Sequence, residues 1–122
     1  PALNDSEMEA ILESAQDAGA SAAGYIMLRL PLEIRDLFVE WLHGNFLDRA
    51  NHVMSLVRDT RNGADYNANW GTRMTGTGVY AALMKQRFTI SVARLGLNKR
   101  RHDLDTTQFS IPPRAGDQLT LL

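Results

Sequence analysis

The apolar positions of the chain predict four amphipathic helices. Apolar residues recur at the i, i+3, i+4, i+7 spacing that places them on one face of a helix. The predicted helices start near Asp5, Pro31, Asp48 and Thr77, and glycines or a turn sequence end them near Gly19, Gly44, Thr60 and Gly96. The chain is therefore predicted to be mainly α.

Residues 22–28 break this helical pattern. The segment is almost wholly apolar, too short for a helix, and shows no alternation of polar and apolar positions. These features are typical of a strand buried on both faces, as in a parallel sheet. A lone parallel strand has no partner, so we expect its neighbours in a missing part of the protein or in a second copy, as a homo-oligomer.

Three segments follow from this pattern. Residues 1–44 hold a helix, the strand and a helix; residues 45–97 form a helical extension with a glycine-rich loop; residues 98–122 form a basic, proline-containing extended tail. Pro1 is an unusual first residue for a complete protein. We therefore expect the chain to be a fragment of a longer protein.

Composition narrows the chemistry that this chain can perform. The 122 residues are 44% hydrophobic, which suffices for one core. There is no cysteine, so disulfides, thiolate-bound zinc and cysteine-ligated iron–sulfur clusters within the chain are excluded. His43, His52 and His102 lack the spacing of a metal site. No apolar run approaches the ~20 residues of a membrane span, which predicts a cytoplasmic protein without membrane contact.

Charge is distributed unevenly along the chain although the net charge is only −1. Residues 1–60 contain four basic and ten acidic residues, whereas residues 61–101 contain eight basic residues and only Asp65 as an acid. Clustered cations attract phosphate groups. This pattern predicts DNA contacts by Arg61, Arg73, Lys99, Arg100 and Arg101, while an ordinary solvated face is the simpler interpretation.

The glycine-rich segment 71–78 is the most distinctive local motif. Closely spaced glycines allow backbone amides to approach a ligand, and Arg73 adds a bidentate donor. The motif predicts a phosphate or carboxylate site formed by Gly71, Thr72, Arg73, Gly76 and Gly78. The alternative is a turn that requires glycine geometry, with Arg73 paired to a local carboxylate.

Two aromatic residues, Tyr66 and Trp70, precede this motif. Beside Arg61 and Arg73 they could stack on exposed bases, or they could fold back onto the core. Both interpretations stay open at the level of sequence.

Several motifs resemble radical S-adenosylmethionine proteins of the spore-photoproduct-lyase-like group, often labelled DNA repair photolyases. Residues 1–5 resemble the PGLND signature of that family, with Ala2 in place of the usual glycine. Residues 25–33 resemble its late strand and the helix after it. Residues 49–58, 63–66 and 71–78 resemble its C-terminal extension.

This resemblance implies a partial β/α (TIM-like) barrel whose earlier strands bind a [4Fe–4S] cluster and S-adenosylmethionine. The chain would supply the last barrel elements and a helical extension, and its partner would be the missing N-terminal barrel of the same protein. Active sites of such barrels form at the C-terminal ends of the strands, which would direct Arg29 towards the substrate or cofactor. Without cysteines the chain alone is not expected to catalyse a reaction.

The last five residues suggest a separate partner. They resemble the short QLSLF-type peptide by which bacterial repair proteins bind the sliding clamp, with Leu122 in place of phenylalanine. Gln118, Leu119, Leu121 and Leu122 would then enter a preformed pocket. A helical module that binds nucleic acid or the sliding clamp, without catalysis, is therefore the alternative to the radical enzyme.

Overall fold

The computed structural model describes residues 1–99 and 105–112. A 3-10 turn at Asp5–Glu7 leads into α1 (Met8–Asp17), which is followed by α2 (Ile34–Asn45), α3 (Ala50–Asp59) and α4 (Gly78–Leu95). The four helices lie where the apolar spacing predicts them. None of the helices in this part of the chain is both long enough and apolar enough to cross a membrane.

Helix α4 is the central packing element. It packs against α1 on one side and against α3 on the other, while α2 packs on α3. The main core lies around α3 and is completed by one residue from each of two other segments. Its buried members are Leu30, Leu42, Ala50, Val53, Met54 and Val57.

The predicted strand over residues 22–28 is wrong, because the described residues form no strand. Residues 20–31, here called the extended segment, contact a loop and side chains instead of a sheet. Met27 donates its backbone N–H to the carbonyl of Met74 at 2.9 Å. Asn98 binds both the N–H and the carbonyl of Ala23, at 2.9 and 2.8 Å. The expected last elements of a β/α barrel are therefore corrected to a helical fold with an extended connection.

Arg61 joins the extended segment to the loop that precedes α4 (residues 61–77). Its side chain is buried, with 2% of the residue exposed. One terminal nitrogen donates to the carbonyls of Thr72 and Arg73, and the other donates to those of Met27 and Leu28, at 2.8 to 3.2 Å. In this structure Arg61 is therefore not free for the nucleic-acid contact predicted from the sequence, because both terminal nitrogens already bind the protein.

Ion pairs join α1 to α4. Arg87 forms hydrogen bonds to both carboxylate oxygens of Glu9, at 2.5 and 2.8 Å, and Arg94 pairs with Glu13 at 2.5 Å. Nearby, Tyr80 donates its hydroxyl to Asp5 at 2.6 Å. Burial and this hydrogen bond raise the pKa of Tyr80 to about 12. The acidic first half and the basic second half of the sequence thus attract each other within one chain.

We expect Arg61→Met to destabilise the fold by about 3 kcal/mol or more, because four carbonyls lose a charged donor. Urea unfolding followed by circular dichroism measures this loss. Arg49→Met is the matched control, since Arg49 is exposed. A free energy of unfolding for Arg61→Met within about 0.5 kcal/mol of the control, the range of ordinary surface substitutions, would contradict the anchoring role.

Gly78 and Gly71 provide a second matched pair. Gly78 has a φ of +83°, and a Cβ there would lie 2.9 Å from the carbonyl oxygen of Asp59, whereas a Cβ on Gly71 would meet nothing within 4 Å. Gly78→Ala should therefore cost about 1–3 kcal/mol of stability, and Gly71→Ala should be close to neutral. Thermal unfolding of the two variants side by side tests this, and equal melting temperatures would refute it.

Candidate functional site

Three arginines lie in the region where the loop packs on the extended segment, and we call them the arginine cluster (Arg29, Arg61 and Arg73). Arg29 donates to the hydroxyl of Tyr66 at 3.3 Å and to the sulfur of Met74 at 3.6 Å. Its buried Nε has no hydrogen-bond partner. Arg61 binds the carbonyls of Leu28 and Arg73, the first of which directly precedes Arg29. The structure thus brings Arg29 beside the loop, although not at the end of the strand that was predicted.

The half-buried Arg73 stacks on the exposed ring of Trp70. The guanidinium carbon of Arg73 lies 4.1 Å from the centre of the Trp70 ring. Trp70 is 82% exposed, so it does not fold back onto the core. An exposed tryptophan with a stacked arginine can interact with a planar, negatively charged ligand. Of the two interpretations of Trp70, the structure is consistent with the first.

The glycine-rich motif does not form an amide cradle for an anion. The N–H groups of Thr72 and Arg73 donate to the carbonyl of Asn69, and that of Gly76 donates to the carbonyl of Thr72. Thr77 donates to the carbonyl of Thr60 at 3.0 Å. These four amides are occupied, so the motif acts here as a compact turn.

The start of α4 also disfavours an anion. A Cβ on Gly78 would lie 3.2 Å from a carboxylate oxygen of Asp59, so this carboxylate lies beside the first residue of the helix. A bound phosphate at this helix end would meet a negative charge. Of the predicted anion-site residues, Arg29 and Arg73 are the ones that keep side chains suited to the task.

Asp65 is a charged residue whose role the sequence did not indicate. It accepts hydrogen bonds from Arg35 at 2.8 Å and from Arg58 at 2.6 Å. Burial opposes its ionisation, but the hydrogen bonds from the two arginines outweigh this effect and lower the pKa of Asp65. Both carboxylate oxygens of Asp65 are therefore committed to α2 and α3, and Asp65 forms no ion pair with Arg73.

The remaining predicted contacts do not join this site. Lys99 follows the far end of α4, an 18-residue helix of roughly 27 Å, so it lies well away from Arg73. Arg100, Arg101 and the clamp-peptide residues Gln118, Leu119, Leu121 and Leu122 lie outside the described residues. His43 and His52 are exposed, and no group of potential metal ligands occurs in the described ranges.

An apolar cavity of about 600 Å³ lies beside the extended segment. Ile26 and Leu28 line it together with Phe38 and Trp41 of α2 and with Met84 of α4. The apolar spacing predicts that one face of α2 packs on the core, but Leu37 and Trp41 on that face are 62% and 46% exposed. Apolar periodicity identifies this face of α2 but does not show whether the face is buried in the core or left open at the surface.

Comparison of the chain with protein-family models, with curated proteins and with solved structures finds no match in any of the three. The resemblance to radical S-adenosylmethionine proteins therefore depends on the motifs themselves.

Proposed function

We propose that the chain is the helical C-terminal portion of a radical S-adenosylmethionine enzyme and covers part of its catalytic domain. One observation carries this proposal. Two of the segments that resemble the family, 25–33 and 71–78, are distant in sequence and meet at Arg61, which binds Met27 and Leu28 in the first and Thr72 and Arg73 in the second. Motifs that serve one function are expected to converge in space.

Exposed apolar side chains on α2 support the same proposal. Ile34, Leu37 and Trp41 follow the i, i+3, i+7 spacing and are 47%, 62% and 46% exposed. We call them the α2 face. A contiguous exposed apolar surface on a small helical unit is typical of an interface. In this proposal the catalytic domain of the same enzyme covers the α2 face.

The iron–sulfur cluster of such an enzyme does not fit this chain. The sequence has no cysteine, and the described residues contain no group of potential metal ligands. The iron–sulfur cluster would bind elsewhere in the enzyme. The residues of this chain would help to position the substrate and to exclude water.

The test uses the gene product that contains this chain, purified without oxygen. We expect the visible absorbance of an iron–sulfur cluster and, after reduction, cleavage of S-adenosylmethionine to 5′-deoxyadenosine and methionine. Leu37→Glu on the α2 face should expose this chain to limited proteolysis and reduce cleavage, because a charge would have to be buried at the interface.

Glu40→Gln is the matched control on the exposed polar side of α2. It should leave both readouts unchanged. Absence of both the cluster and the cleavage would refute the enzyme, whereas normal behaviour of Leu37→Glu would refute only the interface.

A second candidate function is binding of single-stranded nucleic acid, and the exposed Trp70 with its stacked Arg73 favours it. Stacking of one base on an aromatic ring contributes about 1–3 kcal/mol. Trp70→Ala should therefore weaken binding of a fluorescent oligonucleotide by roughly 5-fold to 150-fold, and affinity should fall as salt rises.

Val79→Ala is a suitable control because Val79 is 84% exposed and also apolar. It should bind the oligonucleotide like the unmodified chain. Absence of salt-dependent binding to single-stranded DNA and RNA would exclude this second function.

A further inference from the structure

Two neighbouring arginines in the arginine cluster have only neutral partners. Arg61 donates to four backbone carbonyls, and Arg29 donates to the hydroxyl of Tyr66 and the sulfur of Met74. The Nε of each guanidinium is buried and has no partner. Hydrogen bonds to neutral groups satisfy the donors in part, but they do not balance two positive charges.

The carboxylates in the described part of the chain do not supply the missing charge. No ion pair there includes Arg29 or Arg61. The acid within the loop, Asp65, pairs with Arg35 and Arg58 instead. Burying a cation without a counter-charge is costly, and two adjacent cations add their mutual repulsion.

The lowered pKa of Arg61 agrees with an excess of positive charge around it. Burial and then the charge of Arg29 lower the pKa of Arg61. An anion beside Arg29 would reverse the second effect, because it would offset the positive field in which both guanidinium groups lie.

We infer that Arg29, with Arg61 behind it, binds the dianionic phosphate group of a small ligand at the junction of the extended segment and the loop. Two uncompensated cations match the two charges of a phosphate better than the single charge of a carboxylate. The planar fork of an arginine binds two phosphate oxygens at once. This inference goes beyond the proposed function and does not depend on it.

The present contacts of Arg29 are weak, so a phosphate group can replace them. The sulfur of Met74, at 3.6 Å, is a weak acceptor, and the contact to Tyr66 is long at 3.3 Å. The Tyr66 hydroxyl accepts from Arg29, so its own proton can be donated to a phosphate oxygen. Arg61 would not touch the ligand but would keep the local potential positive.

Calorimetric titration of the 122-residue chain with inorganic phosphate tests this inference. Chloride keeps the ionic strength constant, and acetate is the monoanion for comparison. We expect phosphate to bind and to raise the melting temperature, and acetate to do neither to the same degree. Arg29→Gln should weaken phosphate binding by about tenfold or more, because a charged bidentate donor is lost.

Three further variants make the result specific. Arg29→Lys should recover part of the affinity, since it retains the charge but not the fork. Tyr66→Phe should weaken binding by a smaller factor, and this variant keeps the inference testable if Arg29→Gln fails to fold. Arg49→Gln, at an exposed arginine of the turn before α3, should bind phosphate normally.

Two results would overturn the inference. One is phosphate binding no stronger than that of acetate at equal ionic strength. The other is phosphate binding that is unchanged in folded Arg29→Gln and Tyr66→Phe. Neither result bears on the iron–sulfur cluster or on cleavage of S-adenosylmethionine, so failure here and failure of the proposed function are distinguishable.

Discussion

The fold depends on one buried cation that replaces a strand partner. The extended segment contributes buried apolar residues to the core, and its backbone carbonyls enter with them. Buried carbonyls need donors, which a sheet would provide through a neighbouring strand. Arg61 provides them instead, with two bonds to Met27 and Leu28 and two to the loop. The same side chain therefore fixes the position of the loop and, through it, the position of Arg29.

Contacts within the folded chain account for much of the charge segregation along the sequence. Arg87 and Arg94 of α4 pair with Glu9 and Glu13 of α1. The buried Arg61 donates its hydrogen bonds to backbone carbonyls. Three of the eight basic residues between positions 61 and 101 are thus engaged within the chain. The cationic surface that remains for a ligand is smaller but better defined. Arg29 contacts the loop, Arg73 lies within it, and neither has a carboxylate partner among the described ion pairs.

The sequence was sufficient to predict the helices but not the extended segment. Each helix has a local signal, a periodic apolar face, that does not depend on the rest of the chain. Residues 22–28 have the composition of a buried strand, yet a strand also needs hydrogen bonds to a neighbour, which composition cannot reveal. The role of Arg61 was hidden for the same reason. Burial of an arginine depends on carbonyls 33 and 34 positions away in sequence, and nothing near Arg61 indicates them.

The candidate site was predicted in part. Arg73 was predicted from its place in the glycine-rich motif, and Arg29 from the end of a barrel strand that the described residues do not form. The glycines were predicted to form either an anion site or a tight turn, and the hydrogen bonds of the loop support the turn. A glycine-rich motif permits both a tight turn and an amide cradle, and only the direction of the amides separates the two. For Tyr66 the sequence left two interpretations open, stacking on a base or folding back onto the core, and neither indicated that its hydroxyl contacts Arg29.

The α2 face and the arginine cluster are linked by the extended segment, and this arrangement affects how strongly the cluster can bind an anion. Ile26 lines the apolar cavity with Trp41, and Arg29 follows only three residues later, a separation of about 10 Å at most. A domain that covers the cavity would therefore come close to Arg29 and remove water around it. Because the attraction between a guanidinium and an oxyanion strengthens as the local dielectric falls, such a cover would tighten phosphate binding without touching the phosphate. Apolar docking and anion binding would thus be coupled through one short stretch of backbone that Arg61 holds in place.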